Sequence, residues 1–313
     1  MTQKTAKAFA PGAISSFFEI YNTNPNGTPI TDLRYIGARG GGFGLQHGTH
    51  TQVTLKEASE NNIQININNQ PTTDAKVTQT ITQILLSQVP KKYSVTINHQ
   101  ITLPIGMGFG TSAGGALTTA LALKDALNLP LTYNQIGQLA HIVEIQLQTG
   151  LGTVSSLTLG GGLILVTQPG APDICKIDRI PLNPNYVVVV GYYKTLIPKK
   201  PVLTSPQRRR QINVYGQKAL EAILSEPSLE NFLDQCWTFS QNAGFATDDI
   251  CRLVLAAKKA GALGAAQNMI GEVVHAVVHE ENASCVAEAF KQTLPSDQVI
   301  VSRIDFEGVR LVK

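Results

Sequence analysis

Pro104-Ile-Gly-Met-Gly-Phe-Gly-Thr-Ser-Ala113 stands where a strand pattern gives way to a helix pattern. Upstream, Tyr93–Leu103 sets Val95, Ile97, Ile101 and Leu103 at the alternating spacing of a half-buried strand. Downstream, Ala113–Leu127 is rich in Ala and Leu, which favours a closely packed helix. Gly106, Gly108 and Gly110 tolerate positive φ and carry no Cβ, so successive backbone N–H groups can turn into one concavity. The following helix adds its unpaired N–H groups and the positive end of its dipole, a combination that attracts phosphate. Thr111 and Ser112 bring hydroxyls to the helix start, placed to ligate the Mg²⁺ that accompanies ATP. Tight turns and close helix packing also use glycine, so the loop by itself leaves a phosphate cradle and a structural turn both open. The ordinary P-loop is excluded because no GxxxxGK[ST] occurs. The dinucleotide fingerprint is excluded because no GxGxxG is followed by an acidic residue on a second strand.

Working outward from the loop, Gln52–Lys56 and Ile63–Ile67 alternate as strands, and Asp74–Ser87 puts Val77, Ile81, Ile84 and Leu85 on one helical face. Thr132 is an N-cap for a helix over Tyr133–Gln148, and Gly160–Gly162 turns the chain into a buried strand at Leu163–Thr167. Prolines 169, 172 and 184 place a domain boundary near residues 175–185. Beyond it come a polar, Pro-punctuated stretch, Leu196–Pro206, and helices over Gln207–Leu224, Ser228–Ala243 and Thr247–Ala260. Strands Glu272–His279 and Val299–Ile304 flank a helix at Ala283–Thr293, so the expected class is α+β.

The 313 residues are 43% hydrophobic and 15% charged, a globular composition with ample core. A formal charge of +3, without a dense basic stripe, suits anionic ligands and excludes a nucleic-acid footprint. Met1–Lys7 lacks the apolar segment of a secretory signal, and the most apolar strand, Tyr186–Tyr193, is far shorter than the ~20 residues a membrane helix needs. A cytoplasmic location with no membrane contact is expected. Cys175, Cys236, Cys251 and Cys285 show no CxxC spacing and read as reduced structural thiols. His275 and His279 share one face of a strand, but without Cys or carboxylates at suitable intervals no catalytic zinc is expected.

The loop resembles the phosphate loop of the GHMP small-molecule kinases, PxGxGLGSSA, departing only at Phe109 and Thr111. Ala8-Phe-Ala-Pro-Gly12 resembles that family's N-terminal APG motif. Gly261-Ala-Leu-Gly-Ala-Ala-Gln-Asn-Met-Ile-Gly271 resembles its C-terminal glycine motif. Ala10–Ile20, Ile36–Leu45, Gln146–Gly152 and Met269–Gly271 are similar to the archaeal pantoate kinase branch of the family.

The resemblance implies two lobes: a ribosomal protein S5 domain 2-like lobe over residues 1–180, and a ferredoxin-like lobe over 181–313 whose Gly261–Gly271 segment closes over the site. It implies ATP held by Pro104, Gly106, Gly108, Gly110, Thr111, Ser112 and Ala113, and Mg²⁺ held by Ser112 and Glu144. The implied reaction is phosphorylation of the 4-hydroxyl of pantoate on the route to coenzyme A. Another small alcohol of homoserine or mevalonate type, or a non-catalytic nucleotide-binding paralogue, remains the alternative. The position where the family often carries a basic Asp is Thr153, and the Lys or His that often follows the APG is Ala13.

An acid substrate needs a cation. Arg39, flanked by glycines and bidentate in geometry, is the first candidate, and Arg208–Arg210 the second. Ser15 and Ser16 are placed either to bond the substrate or to cap a turn, and Phe17-Phe18 either to fill core or to touch the gem-dimethyl group of pantoate. A homodimer is the base expectation for such an enzyme.

Overall fold

The structure is a computed structural model and describes residues 3–195 and 205–313; most of the stretch Leu196–Pro206 lies outside the described residues. The chain opens with a long antiparallel ribbon, β1 (Lys4–Tyr21) on β2 (Gly37–Ala58). Two register shifts, at Pro11/Gly12 and Ser15/Phe17, bend it. The bend divides its work. Ala6, Ala8, Ala10, Val53 and Leu55 face one hydrophobic core, whereas Ile14, Phe17, Phe18, Ile20 and Phe43 face another.

β3 (Asn62–Ile67), β4 (Gln70–Pro71), α1 (Lys76–Leu86) and β5 (Lys92–Ile101) follow, and then α2 (Thr111–Leu127), α3 (Tyr133–Gln146) and α4 (Thr153–Leu159). The small side chains of β1 let α2 lie close on the sheet, and a Cβ on Gly114 would come 2.9 Å from Thr49 Oγ1. Thr132 caps α3 through a complete capping box with Gln135. The helix ends at Gln146, two residues before the expected end, because Gln148 takes a left-handed φ of 56°. β6 (Leu163–Gln168) pairs with β2, and β7 (Lys176–Ile180) with β6.

From β8 (Tyr186–Tyr192) the chain builds a second sheet. Three helices follow, α5 (Pro206–Ser225), α6 (Leu229–Asn242) and α7 (Asp248–Lys259). β9 (Gly264–Gln267), β10 (Val273–His279), α8 (Ala283–Lys291) and β11 (Val299–Arg303) come next. The strand order is β11-β8-β10-β9, all antiparallel. Strand, helices, two strands, helix and strand in that order make a ferredoxin-like unit. Val187–Val190 reads as an unbroken apolar run because both faces are covered. Val187 and Val189 meet the core under α7 and α8, and Val188 and Val190 meet the core shared with α5, α6 and the bent ribbon.

The last strand departs from the expected division of the chain at residue 180. β12 (Arg310–Val312) leaves the second lobe and pairs with β1 at the edge of the first sheet. On the way Asp305, 2% exposed, accepts from the N–H groups of Glu307 and Gly308 and pairs with Arg310 at 2.9 Å. No helix among the described residues is long and apolar enough to cross a membrane.

Candidate active site

β5 delivers the chain into the glycine bend. Gly106, Gly108 and Gly110 all adopt positive φ, at 84°, 89° and 64°. Gly110 is the residue before α2, and no side chain caps the helix there. Gly110 thus offers the first N–H groups of α2 no side-chain acceptor, as an anion site requires. Phe109 is 1% exposed and anchors the bend in the core, edge-on to Tyr192. Ala13 N–H donates to Phe109 C=O at 3.0 Å, tying the bend to β1.

The bend lines a cavity of about 400 Å³ together with parts of β1, β2, the α3–α4 connection and Met269–Ile270. Gly106, Gly108, Gly110, Thr111, Ser112 and Ala113 all lie on its wall. Pro104 does not; it makes the turn out of β5.

Glu144 on α3 is 3% exposed and faces the start of α2, where Ser112 Oγ donates to its Oε1. Thr149 Oγ1 donates to the same oxygen at 2.8 Å. Gly150 is required beside it, because a Cβ there would run into the carboxylate. Sequence reasoning missed Thr149, whose role depends on the chain doubling back after Gln148. A buried carboxylate with hydroxyls converging on it is a set of hard oxygen donors of the kind Mg²⁺ takes. The residues fit that ion.

Thr153 and Ala13 prove to be neighbours across Gly110. A Cβ built on Gly110 would stand 2.8 Å from Thr153 Cγ2 and 2.9 Å from Ala13 Cβ. The second lobe reaches the same spot. Asn268 Nδ2 donates to Gly108 C=O at 3.2 Å, its Oδ1 accepts from Ser15 N–H at 2.9 Å, and Met269 N–H donates to Ser15 C=O at 2.8 Å. Asn268 is fully buried, so this clasp fixes the glycine bend relative to β1.

Arg39 lines the cavity from β2. Its Nη2 makes a 2.7 Å ion pair with Glu19, directly opposite on β1. Burial depresses the guanidinium pKa, but the hydrogen bond and charge of Glu19 outweigh it and leave the group above its ordinary value. Glu19 was not singled out from sequence, although an acid inside Phe17-Phe18-Glu-Ile20 is the sort of polar intruder that signals a partner.

Ser15 lines the cavity, but Ser16 does not. Ser16 is fully buried and bonds His275 Nε2 at 3.0 Å, so the expectation that it contacts substrate is corrected: the register shift between Ser15 and Phe17 turns it away from the wall that Ser15 lines. His275 itself is held neutral by burial, which pushes its pKa down to about 3. The Arg208–Arg210 triplet does not reach the cavity wall. Arg208 lies over the Phe245 ring and Arg209 bonds Asn22. Phe17 and Phe18 both pack in the core and both show a face to the cavity.

Residues 76–161 match the family model described as "GHMP kinases N terminal domain". The pantoate kinase of Thermococcus kodakarensis is 30% identical over 283 residues, covering 88% of this chain and 89% of that one. The pantoate kinase of Methanocaldococcus jannaschii is 28% identical over 273 residues, covering 87% and 93%. A solved structure described as "Phosphotransferase related to CoA biosynthesis pathway" superposes with a TM-score of 0.87 at 26% identity, covering 98% of each chain. Similarity that runs from the first strand through the ferredoxin-like unit, with the glycine bend, Ser112 and Glu144 gathered on one cavity, has one explanation: the chain belongs to the GHMP kinase family and is a small-molecule kinase.

Proposed function

We propose that this chain transfers the γ-phosphate of ATP to the 4-hydroxyl of pantoate, with Mg²⁺, in the cytoplasm and on the route to coenzyme A. The observation that carries the reading is a single cavity whose wall holds the glycine bend, Ser112 and Glu144 and, from another pair of strands, Arg39. The T. kodakarensis and M. jannaschii pantoate kinases, together with the superposed phosphotransferase of coenzyme A biosynthesis, support the substrate.

In this reading the bend and the N-terminal turn of α2 bind the phosphates. Ser112 and Glu144 hold Mg²⁺, which when bound supplies neutralising charge to the phosphate oxygens. Arg39 takes the substrate carboxylate, and Ile14, Phe17 and Phe18 face its branched carbon. Arg39 and Glu144 are the charged side chains among the described residues lining the cavity. With Thr153 where a basic Asp would stand, the substrate hydroxyl attacks directly. The new O–P bond forms as the bond to the ADP oxygen breaks, and the hydroxyl proton leaves late, to phosphate or water. A loose transition state tolerates this, since positioning and charge carry most of the work.

Ala13 and Thr153 favour one rival reading, a paralogue that binds nucleotide without turning it over. A coupled assay for ADP release, run over pantoate, homoserine and mevalonate, tests both. Pantoate-dependent ADP formation is expected. ADP with another alcohol alone, or nucleotide binding with no ADP from any of them, overturns the proposal.

A further inference from the structure

The back wall of the substrate side is built unusually for a carboxylate site, because an acid stands directly behind its arginine. Glu19 is 2% exposed and Arg39 24%, and of the pair only Arg39 lines the cavity. α5 presses on Glu19 from the far side at Gly216, where a Cβ would stand 2.6 Å from Glu19 Cγ. Tyr21 closes the flank. Its hydroxyl donates to Glu19 Oε2 at 3.1 Å, and its ring takes the guanidinium carbon of Arg39 at 5.2 Å.

A guanidinium offers five N–H donors in a fixed fork. Arg39 spends one on Glu19 through Nη2 and, with 24% of its side chain exposed, still lines the cavity. Ile14, Phe17, Phe18 and Val166 make the neighbouring wall apolar, which strengthens a charge-assisted bond formed there.

We propose that Glu19 and Tyr21 are positioning residues that preset Arg39 as the receptor for the substrate's carboxylate, the donors it does not give to Glu19 being kept for that group. The inference rests on the kinase reading above for its substrate and deepens it: selection of an acid comes from the fixed direction of the fork, not from net positive charge. The two accounts differ in sign. If charge governed, removing the Glu19 charge would draw a carboxylate more tightly; if direction governs, the same change loosens it.

The test uses the full chain, the coupled ADP assay, and pantoate against its neutral amide. For the wild type, kcat/KM for the acid should exceed that for the amide roughly tenfold to a hundredfold, the range of a hydrogen bond to a charged group. Arg39→Ala should abolish the preference. Glu19→Gln should cut it about tenfold through KM for the acid, with KM for ATP unmoved. Tyr21→Phe, which deletes one hydroxyl and keeps the ring, should shift the ratio the same way by less, and stands in should Glu19→Gln fail to fold.

A preference unchanged or enlarged in the folded Glu19→Gln protein overturns the proposal. Were the wild type to use a different alcohol, the pantoate reading would fall while the comparison moves to that alcohol and its carboxylate-free analogue. An accepted alcohol without a carboxylate, turned over normally by Arg39→Ala, removes the receptor. Were no alcohol turned over, calorimetric binding of pantoate against the amide makes the same comparison, and equal affinities there also overturn it.

Discussion

Replacing Gly110 by alanine probes the glycine bend, proposed to hold phosphate, at its tightest point. Gly110 sits at φ 64°, and an added Cβ would press on Thr153 Cγ2 at 2.8 Å and Ala13 Cβ at 2.9 Å. The left-handed conformation costs a side-chain-bearing residue about 1–2 kcal/mol. Forcing a methyl into a filled site costs about 1–3 kcal/mol more. Gly27 provides the control, since at φ 85° with nothing within 4 Å it incurs the first cost alone.

At roughly 2 °C per kcal/mol for a chain of this size, Gly110→Ala should lower Tm by about 4–10 °C and Gly27→Ala by about 2–4 °C. The bend relieves its crowding by moving, so KM for ATP should rise in Gly110→Ala and stay put in Gly27→Ala. Adding Thr153→Ser deletes the struck methyl and should recover part of both losses. Thermal unfolding and ADP kinetics on the four proteins read this out. Equal Tm losses at the two glycines, with an unaltered KM for ATP, would refute the claim that this bend is a tightly held phosphate cradle.

Glu144→Gln keeps the shape of the carboxylate and removes its charge, so the Mg²⁺ concentration for half-maximal rate should rise at least roughly 10–100-fold, the cost of losing even an outer partner of a metal site. Tm should hold within a few degrees; an unchanged magnesium titration takes Glu144 out of the site. His99 reads on stability and pH. It is buried between Thr51 at 2.7 Å and Thr78 at 3.0 Å, and burial lowers its pKa from 6.5 to about 4. The unfolded chain therefore binds the proton first, so stability is full above pH 6.5 and falls as pH drops toward about 4. Urea midpoints across that window should show the decline, and His99→Gln should make it shallower, with the buried His275 contributing to what remains.

How far the sequence reached depends on the kind of information each element needed. Helices announce themselves locally. The capping box of Thr132 with Gln135, and Ser228 accepting from Asn231 N–H, are contained in a few consecutive residues. The long ribbon was less legible. Gln52–Lys56 alternates cleanly, but Gly40–Gly42 and the two register shifts break the period through the segments that build the cavity. Ser15 and Ser16 could not be told apart for that reason. Nor could β12 be placed, because its partner lies at the opposite end of the chain.

By itself the amino-acid order located the glycine bend. Three alternate glycines between a strand and an Ala-rich helix narrow that segment to a phosphate cradle or a tight turn, and that logic runs within ten residues of chain. Tertiary structure alone decided everything that needs two distant segments to meet. Glu19 finds Arg39 through strand register, Thr149 finds Glu144 through a left-handed turn at Gln148, and Asn268 crosses from the second lobe to clasp the bend. Spacing along a chain specifies local hydrogen bonds and dipoles, whereas the partner of a buried charge is specified only by which surfaces pack together.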